Sequence, residues 1–114
     1  MREHVQNTAP NPGLMKKVTV RGYTTRSDHG NEIREPMDPI NDYATMRSLS
    51  GRELQAEKMI VSDVRFLFEF RYRPNYKSNM TISKDGRVFE IVEILHDETY
   101  HRRSDVYAKE INPA

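Results

Sequence analysis

The densest set of residues able to do chemistry lies between His96 and His101. His96, Asp97, Glu98 and His101 are all metal-ligand types. Their spacing matches no ligand pattern with a mechanism behind it, and so polar a segment reads as a hairpin loop. Asp97 and Glu98 are adjacent; in extended backbone they point to opposite sides and cannot converge for acid–base work. The remaining histidines, His4 and His29, stand alone. With no cysteine in the chain, a disulfide scaffold, a thiolate zinc site and a cysteine nucleophile are excluded. No glycine-rich phosphate loop, serine elbow or nucleotide fingerprint occurs. The expectation is a protein that is not an enzyme and holds no metal and no cofactor.

A second kind of chemistry is phosphate contact. Arg71, Arg73 and Lys77 follow a run of rings, Phe66, Phe68, Phe70 and Tyr72, with Tyr76 just beyond. A single-strand binder needs exposed rings on the same face as its cations. Here the alternation sets Phe66, Phe68, Phe70 and Tyr72 on one face and Arg65, Leu67, Glu69, Arg71 and Arg73 on the other, so the rings are expected in a core. The chain carries 18 basic and 17 acidic side chains, a balance unlike that of a DNA-neutralising protein. Arg71, Arg73 and Lys77 are left as candidates for non-specific DNA contact or contact between subunits. An OB-type single-strand-binding barrel stays open as an alternative; it would need exposed rings among Tyr72, Tyr76 and Tyr100.

The elements that must position these residues are short strands. Over 114 residues, with 36% apolar and 31% charged, one domain with a thin core is expected. No apolar run approaches a bilayer span and the start is polar, so no membrane partner is expected and the chain should be soluble in a reducing cytoplasm. Residues 1–13 hold two prolines and two asparagines with almost nothing to bury and read as a flexible N-terminal arm; residues 14–114 form the domain. Val18 and Val20 alternate with polar neighbours in a first strand, and Gly22 marks a bend. Ser27 to Asn31 make a hairpin tip. Pro36 and Pro39 reduce the return segment to a loop or a broken edge, and Tyr43 to Ser48 form a short strand. Ser50 and Glu53 fit a capping box that opens a helix of about two turns. Val64 to Arg73 read as the strongest strand. Asp85-Gly86 is a type I′ turn between Asn79–Ser83 and Arg87–Leu95, and Asp105 to Ile111 close the chain. The expected class is all-β: a small antiparallel β-barrel with one short helix and long loops. The expected core is Val18, Val20, Phe66, Phe68, Phe70, Ile82, Phe89, Ile91 and Val106.

Several landmarks in order carry a resemblance. Tyr43-Ala44 precedes Leu49-Ser50-Gly51-Arg52-Glu53-Leu54; a strand then ends in Arg71-Tyr72-Arg73-Pro74. Met80-Thr81-Ile82 and Asp85-Gly86-Arg87-Val88-Phe89-Glu90-Ile91 form the hairpin, and Arg102-Arg103 lead into Val106 to Ile111. With the opening strand Val18 to Tyr23, this series resembles the phage head–tail joining family, the head-closure or stopper proteins of long-tailed phages. Tyr43 departs from the tryptophan common there, and the proline-bearing stretch Glu35 to Pro39 departs in the second strand.

The resemblance implies a six-stranded barrel assembling as a dodecameric homo-oligomeric ring in the virion, under the portal and adaptor proteins. Such a ring retains packaged double-stranded DNA, passes it non-specifically and offers the tail its docking surface. It implies assembly in the host cytoplasm and is compatible with a prophage origin. It also implies that the segment mapping onto Ser50 to Ser62 reaches the lumen and closes the channel, with Ser50, Arg52, Glu53, Gln55, Glu57, Lys58, Met59 and Ile60 as its candidate residues. Arg52, Glu53, Glu57 and Lys58 sum to zero charge, which suits a mechanical gate better than an electrostatic clamp. Read from the residues alone, Ser50 to Lys58 is an ordinary surface helix. A tail-completion or adaptor protein of similar barrel form remains a further alternative.

Overall fold

Alternation of apolar and polar residues builds eight strands among the residues described by the computed structural model, 9–50 and 64–111. They are β1 (Lys16–Arg21), β2 (Tyr23–Asp28), β3 (Asn31–Pro36), β4 (Ile40–Ser48), β5 (Phe66–Phe70), β6 (Thr81–Lys84), β7 (Arg87–His96) and β8 (Ser104–Ile111). Six of them close a barrel in the order β1-β4-β5-β8-β7-β6, and β6 pairs back onto β1 through Val20↔Ile82. All its pairings are antiparallel. Closure gives every barrel strand two neighbours and leaves no edge to aggregate.

Inward positions hold Val18, Val20, Ala44, Phe68, Phe70, Ile82, Phe89, Ile91, Val106 and Ala108, all buried in one cluster. Eight of the nine expected core residues are there; Phe66 is only partly buried against them. The rings meet edge-on, Phe68 and Phe89 at 5.0 Å and Phe66 and Phe89 at 5.2 Å between centroids, as their quadrupoles favour.

A bulge between Ile91 and Glu93 in β7 changes which residues face in. Before it Phe89 and Ile91 point inward; after it Ile94 does, and Val92 and Leu95 turn out. There they join Leu49, Val64, Leu67 and Tyr107 in a second apolar cluster on the outer wall. Leu67 therefore lies opposite the phenylalanines, as expected, yet it is buried.

Of the two readings of the return segment after the hairpin tip, loop or broken edge, the structure has the edge strand: β3 stops at Pro36, and with β2 it makes a separate two-stranded ribbon outside the barrel. Pro36 is tolerated because it ends that strand, opposite Tyr23. The central strand is shorter than Val64 to Arg73, and Tyr72, beyond its end, leaves the core face. β4 begins at Ile40, before Tyr43. Gly22, between β1 and β2, is where the chain leaves the barrel: a Cβ there would lie 2.9 Å from Met80 Cγ and 3.2 Å from Met37 Sδ. Both tight turns, His29-Gly30 and Asp85-Gly86, have positive φ at both residues, the type I′ geometry that matches strand twist.

The helix expected after the capping box falls at residues outside the described ones, as do residues 1–8 of the arm. Of the arm's remainder, Pro10 is buried and Pro12–Leu14 form a 3-10 turn capped by the Asn11 side chain.

Candidate functional site

Strand pairing divides the connections between two poles. At the first lie the start of β1, the ends of β4, β6 and β8, and the starts of β5 and β7. The connection from β4 to β5 leaves and returns here: Ser48 pairs with Phe66, and the Leu49 amide donates to the Arg65 carbonyl at 2.8 Å. Ser50 is exposed on it. Arg52, Glu53, Gln55, Glu57, Lys58, Met59 and Ile60 lie outside the described residues.

The second pole carries the β2–β3 ribbon, the loop from Arg71 to Met80 and the loop from Asp97 to Arg103. Polar residues fix these loops. Tyr76 folds back into the barrel mouth, 2% exposed, edge-on to Phe70 at 5.2 Å, and its hydroxyl donates to Asp42 Oδ2 at 2.6 Å. Arg73 grips the same carboxylate with two nitrogens, at 2.9 and 3.1 Å. Burial pushes the Asp42 carboxyl up, but hydrogen bonds from Arg73, Tyr76 and the Tyr43 amide, with the arginine's charge, outweigh it and hold the group below its ordinary value. Burial and the same carboxylate push the Tyr76 phenol up. The folded carboxyl is more acidic than the unfolded one, so its contribution is full above the unfolded value and disappears as pH falls through the folded one. Asp42→Asn is accordingly expected to lose about 1–3 kcal/mol at neutral pH, from weakened charge-assisted hydrogen bonds. The gap from the parent should close as the pH drops below about 4, the ordinary aspartate range. Urea melts at a series of pH values check this; a gap independent of pH would remove the ionised carboxylate from the account.

On the outer wall, Arg103 is 3% exposed between two carboxylates. It donates to Asp105 Oδ1 at 2.8 Å and to Glu69 Oε2 at 2.5 Å, and Thr45 Oγ1 donates to the other Glu69 oxygen at 2.7 Å. Asp97 accepts from the amides of Tyr100 at 3.1 Å and Arg102 at 3.2 Å, which hold its carboxyl below the usual range. Glu98 accepts from the Tyr72 hydroxyl at 2.7 Å, His101 stacks on the Tyr72 ring at 4.4 Å, and His96 Nδ1 meets Ser104 Oγ at 2.8 Å. The four residues that suggested a metal site each have a structural partner, and among the described residues no three ligand-type side chains gather to hold an ion.

The three basic candidates do not come together. Arg73 is engaged by Asp42, Arg71 is exposed just past β5, and Lys77 lines a cleft of about 570 Å³ with Tyr23, Thr25, Arg34, Met80 and Glu90. Of the rings a single-strand binder would need, Tyr76 is buried and Tyr72 is half-buried on Glu98 and His101; Tyr100 is 55% exposed. Sequence reasoning missed Asp42, Glu69 and Arg103. The one available signal was Asp42, a carboxylate on the inward parity of β4.

The fold is that of a small closed β-barrel protein whose buried polar side chains fix its own loops, with a two-stranded ribbon outside the closed sheet. The chain matches the model of the phage head completion protein family over residues 10–111, and it belongs to that family. That family is structural rather than enzymatic; its role is phage head closure, at the head–tail junction of the virion, among other head and tail proteins. No curated protein matches the chain. Among solved structures the fold is similar to the solution structure of protein SF1141 from Shigella flexneri 2a, with a TM-score of 0.68 and 18% identity, covering 92% of this chain and all of that one.

Proposed function

We propose that copies of this protein form a ring, dodecameric in the virion, beneath the portal and adaptor proteins, which retains packaged double-stranded DNA and presents a docking surface to the tail. The observation that carries the reading is the family match over nearly the whole barrel, joined to the separation of two poles. At one pole the paired strand ends Ser48 and Phe66 fix where the connection from β4 to β5 leaves and rejoins the barrel, and the gate residues of this reading lie on that connection. Ser50, Arg52, Glu53, Gln55, Glu57, Lys58, Met59 and Ile60 are the gate in this reading, and their balanced charge lets DNA leave quickly. The arm, residues 1–13, is a second contact for a neighbouring subunit or the adaptor. The protein assembles from the host cytoplasm, whether phage or prophage encodes it. Arg71 and Lys77 remain candidates for contact with passing DNA or a neighbour; Arg73 is committed to Asp42.

Deleting Gln55 to Ile60 tests the gate. Filled heads completed with the shortened protein should lose DNA that the parent retains, measured as nuclease-protected genome per head. Unchanged protection, with the variant present on the heads, would remove the gate and leave the closure role intact.

A further inference from the structure

The two edges of the β2–β3 ribbon have no strand beside them, and the chain treats them differently. The tip His29-Gly30 is a two-residue turn with positive φ at both positions, so Asp28 and Asn31 flank it as a hydrogen-bonded pair. Such pairs recur at every second position of an antiparallel ladder. Thr24, Arg26 and Asp28 therefore spend their backbone groups on β3, and Tyr23, Thr25 and Ser27 turn theirs outward. On β3 the outward set is Glu32, Arg34 and Pro36. That edge is blunted by two charged side chains and by a proline that has no amide to offer. The β2 edge is not. Tyr23, Thr25 and Ser27 are uncharged and exposed, and among the described residues no backbone group from outside the ribbon bonds to them.

An open edge is a template for another strand, and a ribbon of two strands is marginal in water by itself. Each barrel strand already has two neighbours. Among the described residues of a second copy, the unblunted edge that remains is its own β2. That edge is self-complementary. Set antiparallel about a two-fold axis at Thr25, Tyr23 falls opposite the partner's Ser27, and Thr25 opposite the partner's Thr25. Every outward amide then meets an outward carbonyl, and the threonines form a cross-strand pair that sheets favour. Arg26, held by Glu35 within its own ribbon, stands opposite the uncharged Thr24 of the partner subunit; the two Arg26 side chains are only diagonal neighbours. Moving the axis to Arg26 would set arginine against arginine and put the outward groups out of step, so one register is selected.

We propose that two copies of the free protein pair edge to edge through β2, antiparallel about Thr25, and make one four-stranded sheet from two ribbons. A two-fold contact is isologous and does not link neighbours around a cyclic ring. The pairing thus belongs to the protein before assembly and stands or falls apart from the ring reading above. A single strand edge buries little surface, so the association is weak and depends on concentration.

Sedimentation equilibrium and amide hydrogen exchange on the full-length protein, over a concentration series, test the pairing. The average mass should rise from monomer toward dimer and no further. In step with it, exchange at Tyr23, Thr25 and Ser27 should slow, while exchange at Glu32 and Arg34 stays unchanged. Thr25→Pro removes the central outward amide and leaves the bonds between β2 and β3 in place; it should weaken dimerisation by about tenfold or more. Glu32→Pro, the same change on the other edge, should dimerise like the parent. Circular dichroism confirms that both variants fold, and the exchange series on the parent decides the matter without them. The pairing is overturned by a parent that stays monomeric throughout, by protection at Glu32 and Arg34 instead, or by a folded Thr25→Pro variant that dimerises as before. A monomeric parent whose Thr25→Pro variant no longer captures tail or adaptor proteins also overturns it, and assigns the edge to a strand of that partner.

Discussion

Arg103→Ala is expected to cost the fold about 3–5 kcal/mol, because it takes the shared guanidinium from buried Asp105 and part-buried Glu69. Arg103 is 3% exposed and closes a bridge between Glu69 on β5 and Asp105 on β8, two residues that are cross-strand partners. Without the guanidinium, two carboxylates would face each other across a ladder pair with little water to screen them. A domain of this size holds about 5–15 kcal/mol in all, so the variant should unfold at a markedly lower urea concentration. A further outcome separates the charge from simple loss of packing. Adding Glu69→Gln and Asp105→Asn to Arg103→Ala should recover part of the loss, since the two negative charges on this ladder pair are gone. A loss below about 1 kcal/mol, typical of exposed ion pairs, would show that the bridge is solvated.

Period-two alternation made the barrel legible, because the inward residues come in pairs about a polar one: Val18 and Val20 about Thr19, Phe68 and Phe70 about Glu69, Phe89 and Ile91 about Glu90. Asp85-Gly86 and the His29-Gly30 tip were legible for a different reason, since few residues adopt positive φ cheaply. What stayed hidden depended on residues far apart in the chain. The fate of Leu95 turns on a bulge three positions earlier, which shifts parity without changing composition. Tyr72 continues the ring alternation perfectly, but the strand ends at Phe70, and Tyr72 is drawn instead to Glu98 and His101. The ribbon was obscured by Pro36, which reads as a strand breaker unless one knows that β3 has no outer neighbour to receive a hydrogen bond. The site was less legible than the fold. Asp42, Arg73 and Tyr76 meet only because the loop after β5 folds back over the barrel mouth, and no local pattern announces that return. Arg73 was singled out as a free cation for this reason.

Phe68→Ala is the other large effect, expected to destabilise the barrel by about 3–5 kcal/mol. Phe68 is fully buried, lies edge-on to Phe89 across the barrel, and is paired in register with Met46 on β4 and Val106 on β8. Removing its ring takes contacts from three sides of a closed sheet at once, and a closed sheet cannot collapse inward without breaking ladder hydrogen bonds, so the cavity stays. Phe66→Ala should cost less, because Phe66 is only partly buried and its neighbour Arg87, 5.4 Å from the ring centroid, can move to cover the gap. Tyr72→Ala should cost least of the three, since that ring packs on exposed His101 and lends the core nothing. The order Phe68, Phe66, Tyr72 in urea midpoints would show that the core holds Phe68 and Phe70 and falls off at Phe66 and, past the end of β5, at Tyr72. Equal losses at Phe68 and Tyr72 would mean that the core extends past Phe70, and the second pole would then be part of the barrel interior rather than a platform of fixed loops above it.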